Sequence, residues 1–426
     1  MKIAFFDYIW TLAEPPKFGS GILCYQLALR LARSNNVIFY GSKAPDHQEL
    51  EYTQDGITYH RISTNLIDKI LGWLRVLDDW NFFSRKRPFY ASRLCDFRYY
   101  WQIGKDLQSQ NCDVIQINFT FHVAPLIRAL NPQAKIVVFL QTEWLTQLDH
   151  QMVAKQLEAV DLIIGCSNYI TNKIRNQFPT IPCETVFNGV DINHFKVNPE
   201  VKNTQKEGIV TLLFVGRVSP EKGIHILLQA FNQVILKYPQ VQLKIVGPED
   251  QYGVLPVQML DTEDPYVENL IPFYQGKYSQ QLRQIISAHA ASSVSFVGPI
   301  KQLDLVEHYQ KADIFVFPSV WNEPFGIPLV EAMAMELPII ATHSGAFPEI
   351  VEDEKTGLLV ERANPDALAT AILQLLEDKN LRDVMGKAAR KQAVNKFSWE
   401  KINENLLIKY QNLFGSDKYV VKTKIS

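Results

Sequence analysis

The chain has 426 residues, 47% hydrophobic and 21% charged, with a formal net charge of −2. That length and apolar fraction predict an ordered globular protein of two or three domains. The near-neutral balance argues against a dedicated nucleic-acid binder, which concentrates positive charge, while leaving room for local basic patches. Five cysteines, Cys24, Cys95, Cys112, Cys166 and Cys183, show no CxxC spacing. This argues against structural zinc or a disulfide framework and for buried thiols in a reducing compartment.

In chain order, the N-terminal MKIAFFDYIW carries one lysine and an apolar run broken at Asp7, a first strand over Ile3–Phe6 rather than a secretory signal. No uncharged apolar run reaches about 18 residues, so no transmembrane helix is expected. A loop containing Gly19-Ser20-Gly21 leads into a helix over Ile22–Ala32 and a strand over Val37–Tyr40, which together read as a βαβ unit. Glycines there let the backbone approach a ligand at the helix start, although a plain turn explains them equally. The GxGxxG fingerprint is absent, so nothing supports a nicotinamide cofactor.

Residues 65–90 place Leu66, Ile67, Ile70, Leu71, Leu74 and Leu77 at helical spacing, with Trp73 and Trp80 among them and Arg85-Lys86-Arg87 after them. The pattern fits an amphipathic helix packed on the domain, or one making peripheral contact with an anionic membrane surface. Strands are predicted at Asp113–Ile117, Ala134–Leu140 and Asp161–Gly165. A helix capped by Ser167-Asn168 follows over Tyr169–Phe178, and a short strand Glu184–Phe187 ends in Asn188-Gly189-Val190-Asp191.

The polar stretch 192–208 reads in its later part as a linker. A second βα series follows, with strands Val210–Val215, Gln242–Val246, Val294–Val297 and Asp313–Pro318. Two such series predict an α/β protein of two doubly wound Rossmann-like domains facing a cleft, 1–195 and 196–396, with a final segment 397–426. Within the second, 249–274 carries four prolines and little periodicity, an insertion forming a surface loop or lid. Ser398 is the expected N-cap of the last helix, which runs to Tyr410.

Two stretches carry candidate chemistry. Strand Val210–Val215 ends in Gly216-Arg217-Val218-Ser219-Pro220-Glu221-Lys222-Gly223, two cations five residues apart at a strand's carboxyl end. A guanidinium fork and an ammonium there suit a diphosphate, whereas either cation alone reads as a solvated basic turn. The stretch Val320–Met335, VWNEPFGIPLVEAMAM, turns through Gly326 into a helix. It places Glu323 in the turn and Glu331 in the expected first helical turn. The two acids either complement the helix dipole or accept hydrogen bonds from sugar and ribose hydroxyls. Backbone N–H groups of Phe325, Gly326 and Ile327 complete a cradle. Carboxylates do not gather at any strand end, so no metal or other cofactor is expected.

The segments Gly216–Gly223 and Asn322–Ile340 (NEPFGIPLVEAMAMELPII), with Asn188–Asp191 and Phe397-Ser398-Trp399, resemble the signatures of glycosyltransferase family 4. The resemblance spans most of the chain and is strongest in the second half. It implies the GT-B fold, with the donor held mainly by the second domain and the last helix crossing back to the first. It also implies retention of anomeric configuration through front-face attack assisted by the leaving diphosphate, without metal. By the same resemblance, Arg217 and Lys222 bind the diphosphate beside Gly216, Glu323 lies by the donor sugar and Glu331 holds the ribose. Gly19 and Ser20 approach the distal phosphate, and the base rests near Val297, Pro299 and Ile300.

The chain departs from its relatives in having Gln141 where many carry histidine, and Ala346 where a second glycine usually follows Gly345. Gln141 can hydrogen-bond a donor hydroxyl but cannot act as a base. His122 is a candidate for the acceptor side, against the plainer reading of a packed histidine.

The expected activity is transfer of a hexose, glucose first among the candidates, from a UDP-sugar to a saccharide or lipid-linked acceptor in polysaccharide or exopolysaccharide biosynthesis. The expected setting is the cytoplasm, peripheral to the inner face of the plasma membrane, as a monomer or weak dimer. A nucleotide-sugar epimerase or hydrolase, and a non-catalytic sugar-nucleotide binder, are the alternatives on the same fold.

Overall fold

The computed structural model describes residues 1–11, 19–42, 51–64, 70, 73, 74, 78, 82–202, 208–250 and 264–415. The chain forms two compact units, Met1–Asn188 with Trp399–Ser426, and Gly189–Ser398. The boundary thus falls at Asn188/Gly189 rather than 195/196, because residues after Gly189 pack on the second unit. Arg390 Nη1 donates to the Phe195 carbonyl at 2.7 Å and Nη2 to the Ile192 carbonyl at 2.9 Å.

The first unit is built on strands β1 (Lys2–Thr11), β2 (Asn36–Ser42), β3 (Glu51–Gln54), β4 (Ile57–Ile62), β5 (Val114–Asn118), β6 (Lys135–Leu140), β7 (Leu162–Gly165) and β8 (Cys183–Thr185). They form one sheet in the order β3-β4-β2-β1-β5-β6-β7-β8, parallel except for the β3/β4 pair. The second unit holds β9 (Val210–Val215), β10 (Val241–Val246), β11 (Val294–Gly298), β12 (Ile314–Phe317), β13 (Ile339–Thr342) and β14 (Gly357–Val360). Its order is β11-β10-β9-β12-β13-β14, all parallel. Central strands β5, β9 and β12 are buried along their whole length. Strands buried without interruption belong to sheets covered on both faces.

A recurring device starts these strands. Asp113, Asp161 and Asp313 each stand one residue before a strand (β5, β7 and β12) and accept a backbone N–H from the first or second residue of the neighbouring strand. The donors are Lys2 (2.7 Å), Ile136 (2.7 Å) and Thr211 (2.8 Å). Each carboxylate thereby satisfies an edge donor and ties the register of adjacent strands.

The helix Trp399–Asn412 belongs to the first unit. Tyr410 is fully buried there and donates to Gln116 Oε1, while Gln116 Nε2 donates to Asn118 Oδ1 at 2.9 Å and Asn118 Nδ2 to the Phe6 carbonyl at 3.2 Å. Buried Arg30 donates to Glu400 at 3.1 Å and lies over the Trp399 ring. Where the chain leaves and re-enters this unit, Val190 N donates to the Phe397 carbonyl at 2.8 Å.

Several expectations need correction. The antiparallel edge pair β3/β4 was not anticipated, although its Asp55-Gly56 turn, with φ of 53° and 78°, is a two-residue hairpin signature. The supposed linker is part of the second unit up to Lys202: Asn198 and Gln310 exchange two hydrogen bonds, at 2.8 and 3.0 Å. Residues 203–207 lie outside the described residues. Of the stretch 65–90, Trp80 and most of the predicted apolar face also lie outside them. Trp73 is 62% and Phe82 74% exposed, whereas Asp78 is buried and accepts the N–H groups of Phe89 and Tyr90 at 2.7 and 3.1 Å. Among the described residues no helix is long and apolar enough to cross a membrane. All five cysteines are buried, and burial pushes the Cys112 and Cys183 thiols up to about 11 and about 12.

Replacing Tyr410 with phenylalanine leaves the buried Gln116 oxygen without that donor. It is expected to cost about 1–3 kcal/mol of stability, read as a lowered urea midpoint with unchanged slope. A midpoint within error of wild type would show that the buried chain contributes nothing.

Candidate active site

Strands β9 and β12 are neighbours, so their carboxyl ends bring the two motifs together. After β9 the chain passes through Gly216 and Arg217 into the short turn Pro220–Lys222, then Gly223 and the helix Ile224–Lys237. Gly223 has φ +72°, and a Cβ there would fall 2.0 Å from the Pro318 carbonyl oxygen. Only glycine lets this turn press against the end of β12. Val320 N donates to the Glu221 carbonyl at 2.9 Å, joining the two loops by backbone.

The four charged residues form two pairs rather than a row of cations opposed to a row of acids. Lys222 Nζ donates to Glu323 Oε1 at 2.6 Å, with side chains only 11% and 5% exposed. The ammonium also lies 5.1 Å from the Trp321 ring centroid and 5.5 Å from that of Phe317. Arg217 Nη2 donates to Glu221 Oε1 at 3.0 Å; Arg217 is 41% exposed and Glu221 1%. The Glu221 carboxylate also accepts from Ser219 Oγ and Tyr274 Oη, both at 2.6 Å. Burial alone would raise its pKa. The Lys222 and Arg217 cations outweigh burial, with help from those two hydroxyls, and hold the group below the usual carboxylate range. Ser319 Oγ lies 2.7 Å from Glu323 Oε1 and 3.1 Å from the Glu221 carbonyl, and can donate to one at a time.

Beyond Glu323, buried Phe325 meets the Phe397 ring edge-on at 5.9 Å, and Gly326 is the N-cap of the helix Ile327–Ala334, with Pro328 in its first turn. Glu331 is the fifth helical residue, and no acid occupies the first turn. The placement of Glu331 in that turn is therefore corrected, and with it the idea that the acids complement this helix dipole. Instead Glu331 is buried and accepts from Gln302 Nε2 at 2.7 Å and Tyr309 Oη at 2.9 Å. Burial pushes its carboxyl up to about 7 against those two bonds, which favour the charged form. Each oxygen retains a lone pair for a further donor. Val297, Pro299 and Ile300 follow at the end of β11, with Val297 38% exposed.

The first unit holds the remaining candidates. Gly19 and Ser20 open the helix Gly19–Leu31. Gln141 follows β6 and accepts from Asn188 Nδ2 at 2.6 Å. His122 is buried beside Tyr100 and lines a cavity of about 230 Å³ with Arg93, Phe97 and Leu126. Residues missed from the sequence are those that set the geometry. Glu221 sits inside the recognised motif, but nothing local marks Gln302, Tyr309, Tyr274, Asp264 or Arg362. Asp264 accepts from Asn322 at 3.0 Å and Arg362 at 2.6 Å, so the end of the 249–274 insertion is a packed part of the site rather than a surface loop. Residues 251–263 lie outside the described residues. The Ala346 departure has a simple account: its φ is −80°, a conformation that needs no glycine.

Two α/β units, each on its own largely parallel sheet, are the architecture of the GT-B fold. Residues 198–392 match the model of glycosyl transferases group 1, and residues 19–194 that of glycosyltransferase family 4. The chain is 29% identical over 358 residues to spore coat protein SA of Bacillus subtilis, covering 77% of this chain and 89% of that protein. It is 26% identical over 411 residues to the lipopolysaccharide 1,2-N-acetylglucosaminetransferase of Salmonella typhimurium, covering 94% and 96%. Among solved structures, sucrose-phosphate synthase from Thermosynechococcus elongatus superposes with a TM-score of 0.71 at 21% identity, over 97% of this chain and 99% of that one. Anabaena HepE, solved in complex with UDP-glucose, gives 0.67 at 19%, over 97% and 100%. Between them the two models span residues 19–392, and the chain belongs to glycosyltransferase family 4.

Gly345, with φ +51°, packs so closely on the Glu323 loop that a Cβ would lie 2.3 Å from the Glu323 carbonyl oxygen and 2.6 Å from its nitrogen. Gly345→Ala is expected to displace Glu323 and lower kcat/KM at least about tenfold, with a stability loss of roughly 1–3 kcal/mol from backbone strain. Initial rates beside a melting curve check this, and wild-type kcat/KM would contradict the packing argument.

Proposed function

We propose that the chain is a retaining, metal-independent glycosyltransferase moving a hexose, glucose first, from a UDP-sugar to a saccharide or lipid-linked acceptor in polysaccharide biosynthesis. The observation that carries this is the pair of cation–carboxylate contacts, Arg217–Glu221 and Lys222–Glu323, on adjacent strand ends. Lys222 has three donors, so it can hold Glu323 with one and face a phosphate with another; Arg217 presents a fork of five. As the glycosidic bond to the diphosphate breaks, negative charge grows on the leaving oxygens, and these fixed cations stabilise it. In front-face attack the acceptor hydroxyl passes its proton to the departing phosphate, so no protein base is required. Glu323 accepts from a hydroxyl of the donor sugar, and Glu331 from the vicinal ribose hydroxyls.

Metal independence is supported by that cation set, which supplies the positive charge the leaving diphosphate needs. The UDP reading draws on HepE, solved with UDP-glucose, and the saccharide acceptor on the lipopolysaccharide transferase. His122 remains the acceptor-side candidate through its cavity. The roles of Gly19, Ser20 and Gln141 rest on the family resemblance alone. Exposed Trp73, Phe82 and Arg85 support peripheral contact with a cytoplasmic membrane face.

Two outcomes test the reading. Arg217→Ala, at a side chain exposed enough for the fold to survive, is expected to lower kcat by about 2–4 kcal/mol of transition-state stabilisation, measured with UDP-glucose and an oligosaccharide acceptor panel. Near-normal turnover would remove Arg217 from the chemistry. UDP-glucose does not itself titrate near neutrality, so its affinity isolates Glu331. The raised carboxyl is neutral below about 7, so affinity should weaken about tenfold between pH 8 and pH 6 as the acceptor of the ribose hydroxyls is protonated. Glu331→Gln should bind weakly with no such dependence by calorimetry. A wild-type affinity flat across that range would refute the ribose assignment.

A further inference from the structure

We propose that Tyr274 and Asp264, at the two ends of one short segment, are positioning residues for the donor: Tyr274 sets Arg217 on the diphosphate, and Asp264 sets Glu323 on the sugar. The inference rests on the donor site proposed above and assigns it a brace that no local motif marks. Tyr274 Oη donates to Glu221 Oε2 at 2.6 Å, while Glu221 Oε1 takes Arg217 at 3.0 Å and Ser219 at 2.6 Å. Both carboxylate oxygens are thus engaged, which fixes Glu221 in one orientation and anchors one edge of the half-exposed guanidinium.

Ten residues earlier, Asp264 Oδ2 accepts from Asn322 Nδ2 at 3.0 Å and from Arg362 Nη1 at 2.6 Å. Asn322 Oδ1 in turn accepts from Gly345 N at 3.0 Å, and Gly345 is the residue packed on the Glu323 backbone. The relay therefore ends on the backbone of Glu323, whose carboxylate is paired with Lys222.

Between the two ends the segment is held independently of any ligand. Val267 and Leu270 are buried, and Phe273 stacks on His225 at 4.3 Å. A rigid spacer with one polar group at each end, each reaching a different donor-binding loop, fixes those loops relative to one another. Tyr274 reaches the ligand through Glu221 and the Arg217 fork it holds, so losing its hydroxyl affects ligands that carry a second phosphate and spares those that do not. A structural brick would weaken both alike.

The test uses the full chain and calorimetric affinities for UDP and UMP, with melting curves alongside. Tyr274→Phe keeps the ring and is expected to weaken UDP about tenfold while leaving UMP unchanged, as a buried carboxylate loses one donor. Added to Arg217→Ala, it should change nothing further. Glu221→Gln should repeat the UDP-selective loss. Asp264→Asn should lower turnover of UDP-glucose with UDP affinity unchanged. Equal loss of UDP and UMP in Tyr274→Phe, or no loss of either, overturns the inference. A wild-type protein that binds UDP no tighter than UMP, or an Arg217→Ala protein that binds UDP normally, overturns the donor-site reading and this inference with it.

Discussion

A lysine ammonium and a glutamate carboxylate meet at 2.6 Å between the carboxyl ends of β9 and β12, both largely removed from water. Removing one member of such a pair leaves a charge uncompensated at roughly 3–5 kcal/mol, so the two are retained or lost together. Much of the surrounding construction serves to make that close pairing possible. Gly223 lets one loop touch Pro318, Gly345 lets another touch Glu323, and Ser319 Oγ lies between the two loops. The rings of Phe317 and Trp321 face the ammonium and screen it from solvent. A ligand phosphate arriving there meets a cation already oriented, so little reorganisation accompanies binding.

The two carboxylates that flank the site are tuned in opposite directions. Glu221 is buried but faces two cations and two hydroxyls, which hold it ionised. Glu331 is buried with only neutral donors, Gln302 and Tyr309, and its carboxyl rises to about 7. Both are glutamates near a strand end, and what separates them is the charge of the neighbours, not burial. The first serves as a fixed counter-ion, whereas the second can change charge near neutral pH.

The sheets beneath are held by simpler means. An aspartate before each of β5, β7 and β12 captures an N–H from the first or second residue of a neighbouring strand, so register is tied at the edge opposite the ligand-facing loops. The final helix returns to the first unit, where Tyr410 donates into a buried Gln116–Asn118 chain that ends on the Phe6 carbonyl. A buried polar chain of this kind is costly unless every member is satisfied, which makes the docking position of the helix specific.

Much was legible in the sequence because it depends on short spacing. An apolar run followed by Gly216 marked β9, one followed by Pro318 marked β12, and GRVSPEKG and NEPFGIPLVEAM carried Arg217, Lys222, Glu323 and Glu331 by adjacency alone. The Asp55-Gly56 turn is equally legible as a hairpin signal. Tertiary structure alone decided which charge meets which. Lys222 and Glu323 are 101 residues apart, and Tyr274 and Glu221 are 53. No periodicity encodes such pairs, since they exist only after parallel strands bring distant loops to one edge. For the same reason the linear pattern could present Arg217 and Lys222 as one row of cations. The fold instead gave each its own carboxylate, because a cation taken out of water requires a counter-charge within reach.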